Sequence, residues 1–145
     1  MNRIRPITTT KGAQDIFVGG CSLNELAATY GTPLYVLDES TIRSNCQLFT
    51  HILAEHYPNF TVAYASKAGL NIGISNLIAS ENLGADVVSG GELYTVLNSD
   101  IDPEKVYFHG NNKSREELSL AIENHIRIVV DNPFELALIE TIASD

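Results

Sequence analysis

The stretch TVAYASK, from Thr61 to Lys67, is a short apolar run whose only charge arrives at its last residue. Turn-forming residues border it, Pro58-Asn59 before and Gly69 after, so the run predicts a short buried strand. Because burying an ammonium group is costly, a lysine at the end of such a strand either extends to water or serves as an amine nucleophile toward an aldehyde. A solvated lysine is the commoner case, so the surrounding residues must decide.

From this strand onward the chain repeats one pattern, in which a short apolar strand is followed by a capping signal and an amphipathic helix. The strands begin, at nearly constant spacing, near Val62, Ala85, Val106 and Arg127. The helix starts are marked by Asn71, Ser89-Gly-Gly-Glu92, Ser114-Arg-Glu-Glu117 and Asn132-Pro-Phe-Glu135. In such signals a serine or asparagine side chain accepts a helix N–H and the glutamate reaches back. We expect Gly84 to end the first of these helices.

Strand and helix in alternation predict an α/β fold with a parallel sheet. An open doubly wound sheet and a (β/α)8 barrel both satisfy this pattern. The short, equal intervals favour the barrel, as does the lack of a Gly-x-Gly-x-x-Gly turn. A complete barrel takes roughly 250 residues, so residues 61–145 are predicted to form about half of one. Residues 1–60 are predicted to hold a leader, a strand and a helix that precede the barrel.

The segment before the repeat has signals of its own. A Ser-x-x-Glu capping signal predicts a first helix from Leu23 to Tyr30 that ends at Gly31, and Leu34–Leu37 is predicted as a strand. Asp38 is expected to cap a longer helix that ends near His56. Its apolar stripe, which we expect to pack against another element, is Ile42, Cys46, Phe49 and Leu53.

Composition excludes several classes of function. A formal net charge of −9 disfavours nucleic acid and anionic membranes as partners, and no apolar run approaches the roughly 20 residues that cross a bilayer. Cys21 and Cys46 lack metal-type spacing, so no metal site is expected and both are predicted to be reduced. With no secretory signal at the N-terminus, the cytoplasm is the predicted location. A plastid stroma protein whose transit peptide has been removed is the open alternative.

Reactive side chains follow the predicted strands. In parallel α/β folds the C-terminal strand ends share one mouth. The residues at these ends are Lys67, Asp86, Ser89, His109, Asn111, Asn112, Lys113 and Asp131. An amine, carboxylates and an imidazole suit aldehyde-cofactor chemistry better than hydrolysis, because no serine or cysteine has an evident paired base.

Four segments in the same order are similar to the N-terminal part of the diaminopimelate decarboxylases. The segments are Gly31-Thr-Pro-Leu-Tyr-Val36, Tyr64-Ala-Ser-Lys67-Ala, Gly84-Ala-Asp-Val-Val-Ser-Gly-Gly-Glu-Leu93 and Phe108-His-Gly-Asn-Asn-Lys-Ser114. That family belongs, with ornithine and arginine decarboxylases, to the alanine-racemase-like barrels that bind pyridoxal phosphate. The His-Gly-Asn-Asn-Lys run favours the diaminopimelate branch.

By this resemblance Lys67 is implied to form the internal Schiff base with pyridoxal 5′-phosphate. Asp86 and His109 are implied as further residues of the cofactor site, and Glu92 as an acidic residue that supports it. The residues themselves leave plainer alternatives open. Glu92 also completes a capping signal, Asp86 could be a solvated turn carboxylate, and His109 could be a hydrogen-bonded core histidine.

The implied reaction is decarboxylation of meso-2,6-diaminopimelate to L-lysine and CO₂, by a homodimer in the full-length family. Two departures matter. Gly69 replaces an asparagine common in relatives, and the later strands, with their ring-stacking histidine, glycine-rich phosphate loop and C-terminal β-domain, are absent from these 145 residues. The alternatives are a non-catalytic regulatory relative that pairs with a complete decarboxylase, and an ornithine- or arginine-type decarboxylase.

Overall fold

A computed structural model of the chain describes residues 6–144. It groups the chain into two units, of which one ends at Leu48 and the other begins at Phe49. The predicted division after residue 60 is based on where the strand–helix repeat starts, whereas these two units are defined by how compactly the chain folds. We retain the predicted division as a proposal. Among the described residues no helix is both long and apolar enough to cross a bilayer.

The first unit contains a small antiparallel sheet and a helix. The strands β1 (Thr10–Lys11), β2 (Ile16–Val18) and β3 (Cys21–Ser22) pair in that order. Helix α1 (Leu23–Tyr30) follows directly, and the Ser22 Oγ accepts the Glu25 N–H at 3.0 Å. The predicted first helix is therefore confirmed, together with its serine cap.

The predicted strand at Leu34–Leu37 is wrong. No described strand pairs with this segment, and Tyr35 is 96% exposed. A strand needs a neighbour for its backbone N–H and C=O groups, which a run of apolar residues cannot supply by itself.

Helix α2 (Glu39–His56) begins directly after Asp38, as predicted. The Asp38 carboxylate accepts hydrogen bonds from the hydroxyls of Thr8 and Thr41, and the Thr41 hydrogen bond holds the pKa of Asp38 below its usual value. Within α2, Cys46 is buried but Phe49 of the predicted stripe is 61% exposed. The expectation that the whole stripe is packed is therefore wrong.

The second unit holds four parallel strands, each followed by a helix. The strands are β4 (Ala63–Ala65), β5 (Gly84–Val87), β6 (Val106–Phe108) and β7 (Arg127–Ile128), paired in chain order. The helices are α3 (Ile72–Ser80), α4 (Gly90–Leu97), α5 (Arg115–Glu123) and α6 (Pro133–Ser144), with 3₁₀ turns at Ser66–Ala68 and Pro103–Lys105. This sequential order is the order of a barrel, whereas a doubly wound sheet reverses direction at a switch point.

The two faces of this sheet differ in chemistry, because successive side chains of a strand alternate. On one face Ala85, Val87, Val106 and Phe108 are fully buried and form the core with Ile78, Leu93 and Leu118 of the helices. On the other face the register aligns Ala65, Asp86, Tyr107 and Arg127 in one row. The apolar core therefore lies beneath the helices, and the polar row lies on the face that a barrel turns inward.

The expected role of Gly84 as a helix stop is wrong. Helix α3 ends at Ser80, and the left-handed residue after it is Asn82, with φ of 61°. Gly84 lies inside β5, where a Cβ would sit 2.0 Å from the Lys105 carbonyl oxygen. Glycine is needed here because the backbone of the 3₁₀ turn before β6 passes too close for any side chain.

This close approach predicts a large effect for Gly84→Ala. We expect a loss of about 3 kcal/mol or more in the free energy of unfolding, because the clash is with backbone. The matched control is Gly91→Ala in α4, where a Cβ meets nothing within 4 Å and alanine should stabilise by about 0.5–1 kcal/mol. Urea unfolding at low protein concentration measures both, and equal stabilities would contradict the explanation.

The open edges of the sheet predict self-association of the isolated chain. Within residues 6–144, β4 and β7 have one neighbour each, and Phe134 and Leu136 on α6 are 89% and 57% exposed. Unpaired strand edges beside exposed apolar side chains favour intermolecular pairing. Light scattering after size exclusion should show species larger than a monomer. A monodisperse monomer that unfolds sharply and cooperatively would be the opposite result.

Candidate active site

The C-terminal ends of the strands β4, β5 and β6 bring Lys67, Asp86 and His109 to one end of the sheet. Lys67 is exposed in the 3₁₀ turn Ser66–Ala68, which directly follows β4 and contacts β5. The Tyr64 hydroxyl donates to the Gly69 carbonyl at 2.9 Å, which ties down the end of this turn. Gly69 has φ of 145°, a conformation that residues with side chains rarely adopt. Glycine thus suits this turn.

Asp86 and His109 lie side by side. The His109 Nδ1 is 3.3 Å from the Asp86 Oδ1, and the two side chains are 48% and 25% exposed. This close contact does not have the geometry of a hydrogen bond, so the Asp86 Oδ1 is buried without a hydrogen-bond partner among the described residues. The structure therefore brings these two predicted residues together and leaves one oxygen of Asp86 able to accept a hydrogen bond.

Glu92 is engaged with the backbone. Its carboxylate accepts the Val88 N–H at 2.8 Å, while the Ser89 Oγ accepts the Glu92 N–H at 3.3 Å. In a Ser-x-x-Glu capping box the glutamate accepts the N–H of the serine itself, whereas here Glu92 accepts the N–H of the residue before Ser89. Val88 lies beyond the strand and is 36% exposed. Glu92 fixes the loop between β5 and α4.

Glu117 links two successive strand–helix pairs, β5–α4 and β6–α5. Its Oε2 accepts the Ser114 N–H at 2.8 Å, which completes the predicted capping box of α5. Its Oε1 accepts the N–H of Gly90, the first residue of α4, at 2.6 Å. A Cβ at Gly90 would lie 2.7 Å from this oxygen, so glycine is needed for the contact.

The buried lysine at this end of the sheet is Lys113. The sequence analysis predicted its place at the mouth but assigned it no role. Its side chain is 1% exposed, and its Nζ donates to the Gly110 carbonyl at 2.6 Å, the Val129 carbonyl at 3.0 Å and the Glu135 Oε1 at 2.6 Å. Its Nζ also lies 5.6 Å from the centre of the Phe108 ring. Three acceptors satisfy the three N–H donors of the ammonium group, which offsets its desolvation.

Glu135 completes this ion pair from the first turn of α6. Its Oε2 accepts the Asp131 N–H at 2.7 Å, and the Asn132 Oδ1 accepts the Glu135 N–H at 2.9 Å, which confirms the asparagine cap. Burial raises the pKa of Glu135, but the hydrogen bonds from Lys113 and Asp131 and the Lys113 charge outweigh it, so this pKa lies below its usual value. In the sequence Lys113 belongs to a motif and Glu135 to a helix cap, but no sequence signal indicates that the two side chains form an ion pair.

Other predicted mouth residues are less constrained. Ser89, Asn111, Asn112 and Asp131 are exposed. Among the residues that the structure describes, no three His, Cys, Asp or Glu side chains are grouped so as to hold a metal ion. The reactive groups at this end of the sheet are the amine of Lys67, the carboxylate of Asp86 and the imidazole of His109.

Comparison with known proteins gives one consistent family. Residues 39–145 match the family described as pyridoxal-dependent decarboxylase, pyridoxal binding domain. Diaminopimelate decarboxylase of Bacillus methanolicus is 49% identical over 129 residues, which are 88% of this chain and 30% of that protein. The Bacillus subtilis enzyme is 46% identical over 88% of this chain and 29% of its own length. The chain thus spans about a third of the length of these relatives.

Solved structures agree. The M. jannaschii diaminopimelate decarboxylase in complex with L-lysine superposes with a TM-score of 0.84 at 40% identity, over 95% of this chain and 33% of that one. The Vibrio vulnificus lysine/ornithine decarboxylase shares the fold at a TM-score of 0.69 and 22% identity, over 85% of this chain and 33% of that one. The predicted α/β fold, a partial barrel of the decarboxylase type, is therefore confirmed.

The Lys113–Glu135 pair predicts pH-dependent stability. Because the folded pKa of Glu135 is lowered, its contribution is fully present above the ordinary glutamate pKa of about 4.3 and is lost as pH falls through the lower folded pKa. Glu135→Gln should lose about 3 kcal/mol at neutral pH, because it leaves the Lys113 charge buried without a counter-ion.

The measurement is urea unfolding of the unchanged chain and of Glu135→Gln from neutral pH to about pH 3. The difference between them should shrink below about pH 4. Glu140→Gln is the control, because Glu140 is exposed on the same helix, and it should change little at any pH. A difference for Glu135→Gln that is constant across this range would contradict the prediction.

Proposed function

The chain belongs to the pyridoxal-dependent decarboxylases through its pyridoxal-binding domain, and on that premise we propose that it is the N-terminal part of a diaminopimelate decarboxylase. The proposed reaction converts meso-2,6-diaminopimelate into L-lysine and CO₂, the last step of lysine biosynthesis, in the complete protein. The observation that carries this choice is 49% identity to a diaminopimelate decarboxylase, against 22% to the lysine/ornithine decarboxylase of the same fold.

The residues at the strand ends fit pyridoxal phosphate. Lys67 offers an exposed amine for the aldehyde of the cofactor, and the Ser66 Oγ beside it is buried without a hydrogen-bond partner among the described residues. The Asp86 Oδ1, likewise without a hydrogen-bond partner, offers an acceptor. When bound, the cofactor supplies an electron sink for the carbanion that remains after CO₂ departs.

Each of the site residues would then have a separate role. Lys67 would hold the cofactor covalently and, once displaced by the substrate amine, would be a free base at the mouth. Asp86 would accept a hydrogen bond from a cationic or protonated group, and its contact with His109 at 3.3 Å would keep both side chains oriented. Glu92 would act indirectly, because its carboxylate is engaged with the Val88 N–H.

The proposal includes the partners and location expected from the sequence. These are meso-diaminopimelate as substrate, a homodimer of the complete protein, and the cytoplasm. A formal net charge of −9 supports the exclusion of nucleic acid and anionic membranes as partners. The regulatory relative and the ornithine- or arginine-type decarboxylase remain the competing functions that experiments must separate.

The role of Lys67 is tested by adding pyridoxal phosphate to the purified chain. We expect a visible absorbance band, and borohydride reduction followed by peptide mass mapping should find the cofactor on Lys67. Lys67→Ala should lose both signals. The matched control Lys105→Ala should retain them, because Lys105 lies at the opposite end of the sheet and binds the Asn82 Oδ1 at 2.5 Å.

The outcomes separate the competing functions. Labelling spread over several lysines, or no adduct in a complete protein that contains this chain, would contradict the assignment of Lys67. The substrate is tested in a complete protein that contains this chain, by measuring CO₂ release. Release from meso-diaminopimelate supports the proposal, release from ornithine or arginine supports the related decarboxylases, and no release despite bound cofactor supports the regulatory relative.

A further inference from the structure

The buried Lys113–Glu135 pair joins consecutive loops at the mouth of the sheet. We propose that Lys113 is a positioning residue, which holds His109 against Asp86 by fixing the loop that follows His109. This inference rests on the proposed function for its biochemical consequence. Its structural part concerns only the described residues and can be tested without the cofactor.

The contacts of Lys113 show what it holds. Gly110 follows β6 and Val129 follows β7, and both carbonyls accept a hydrogen bond from the same ammonium group. Glu135, the third acceptor, lies in the first turn of α6 and also accepts the Asp131 N–H. One buried charge therefore connects the ends of two neighbouring strands to the start of the next helix.

His109 is fixed from both sides of its backbone. Its N–H donates to the Val87 carbonyl at 2.8 Å, which continues the strand ladder. Gly110, directly after it, has φ of 104°, and a Cβ there would lie 3.1 Å from the Val88 carbonyl oxygen. The turn is thus pressed against the end of β5, and the bond from Lys113 to the Gly110 carbonyl keeps it there. Without that bond residues 109–113 could take other conformations, and the imidazole could leave Asp86.

Stability alone is a weak reason for such a pair. Two well-packed apolar residues of similar volume are often as stable as a buried ion pair, or more stable, because they need no desolvation. Breaking the pair on one side, in contrast, leaves a buried charge. A double variant that replaces both partners by apolar residues therefore separates the two roles. It should restore stability but cannot restore the bond to the Gly110 carbonyl.

The experiment compares the unchanged chain with Lys113→Met/Glu135→Leu. We expect unfolding stability close to that of the unchanged chain, loss of the nuclear Overhauser contact between the His109 ring and the Asp86 β-protons, and about tenfold weaker binding of pyridoxal phosphate. The control Lys105→Met removes a lysine at the far end of the sheet and should retain both the ring contact and the affinity.

Each result decides. A stable double variant that keeps the ring contact would show that the pair is only structural and would overturn the proposal. If the double variant does not fold, Lys113→Arg keeps the charge while its planar group cannot reproduce the three bonds, and an unchanged ring contact in that variant would also overturn it. The ring contact is measured without cofactor. Failure of a complete protein that contains this chain to bind pyridoxal phosphate would therefore contradict the proposed function and not the positioning role.

Discussion

A carboxylate in the first turn of three successive helices ties each helix to the loop before it, and the mouth of the sheet depends on these bonds. Glu92 accepts the Val88 N–H, Glu117 the Ser114 N–H, and Glu135 the Asp131 N–H. Backbone N–H groups at a helix start lack intrahelical partners, and the helix dipole favours negative charge there. The same interaction therefore fixes the turn from strand to helix in three of the four strand–helix units, β5–α4, β6–α5 and β7–α6.

Two of these glutamates also form hydrogen bonds to the preceding strand–helix unit. Glu117 binds the N–H of Gly90 at the start of α4, and Glu135 binds Lys113 in the loop before α5. The last two strand–helix units, β6–α5 and β7–α6, are thereby linked to their predecessors at the mouth as well as along the strand ladder. Sites on loops are usually less precisely held than sites on strands or helices. These links compensate for that difference.

The sequence predicted what depends on local pattern and missed what depends on distant contacts. The starts of the four strands and of their helices were predicted within about two residues, because caps such as Ser114 and Asn132 act within one turn. Leu34–Leu37 failed because pairing requires a neighbour, and Gly84 was misassigned because its constraint is the backbone of Lys105. Lys67, Asp86 and His109 were placed at the mouth through motifs, whereas no motif paired Lys113 with Glu135.

The position of Asp86 follows from the core. Ala85 and Val87 are fully buried, so the alternation of β5 places Asp86 on the opposite face, in register with Ala65 and Tyr107. A slip of one residue would bury the carboxylate and expose both apolar side chains, which fixes the register strongly. Alternation ends with the strand, however, and His109 lies just beyond it. Its position therefore needs a separate constraint, and the bond from Lys113 to the Gly110 carbonyl supplies one.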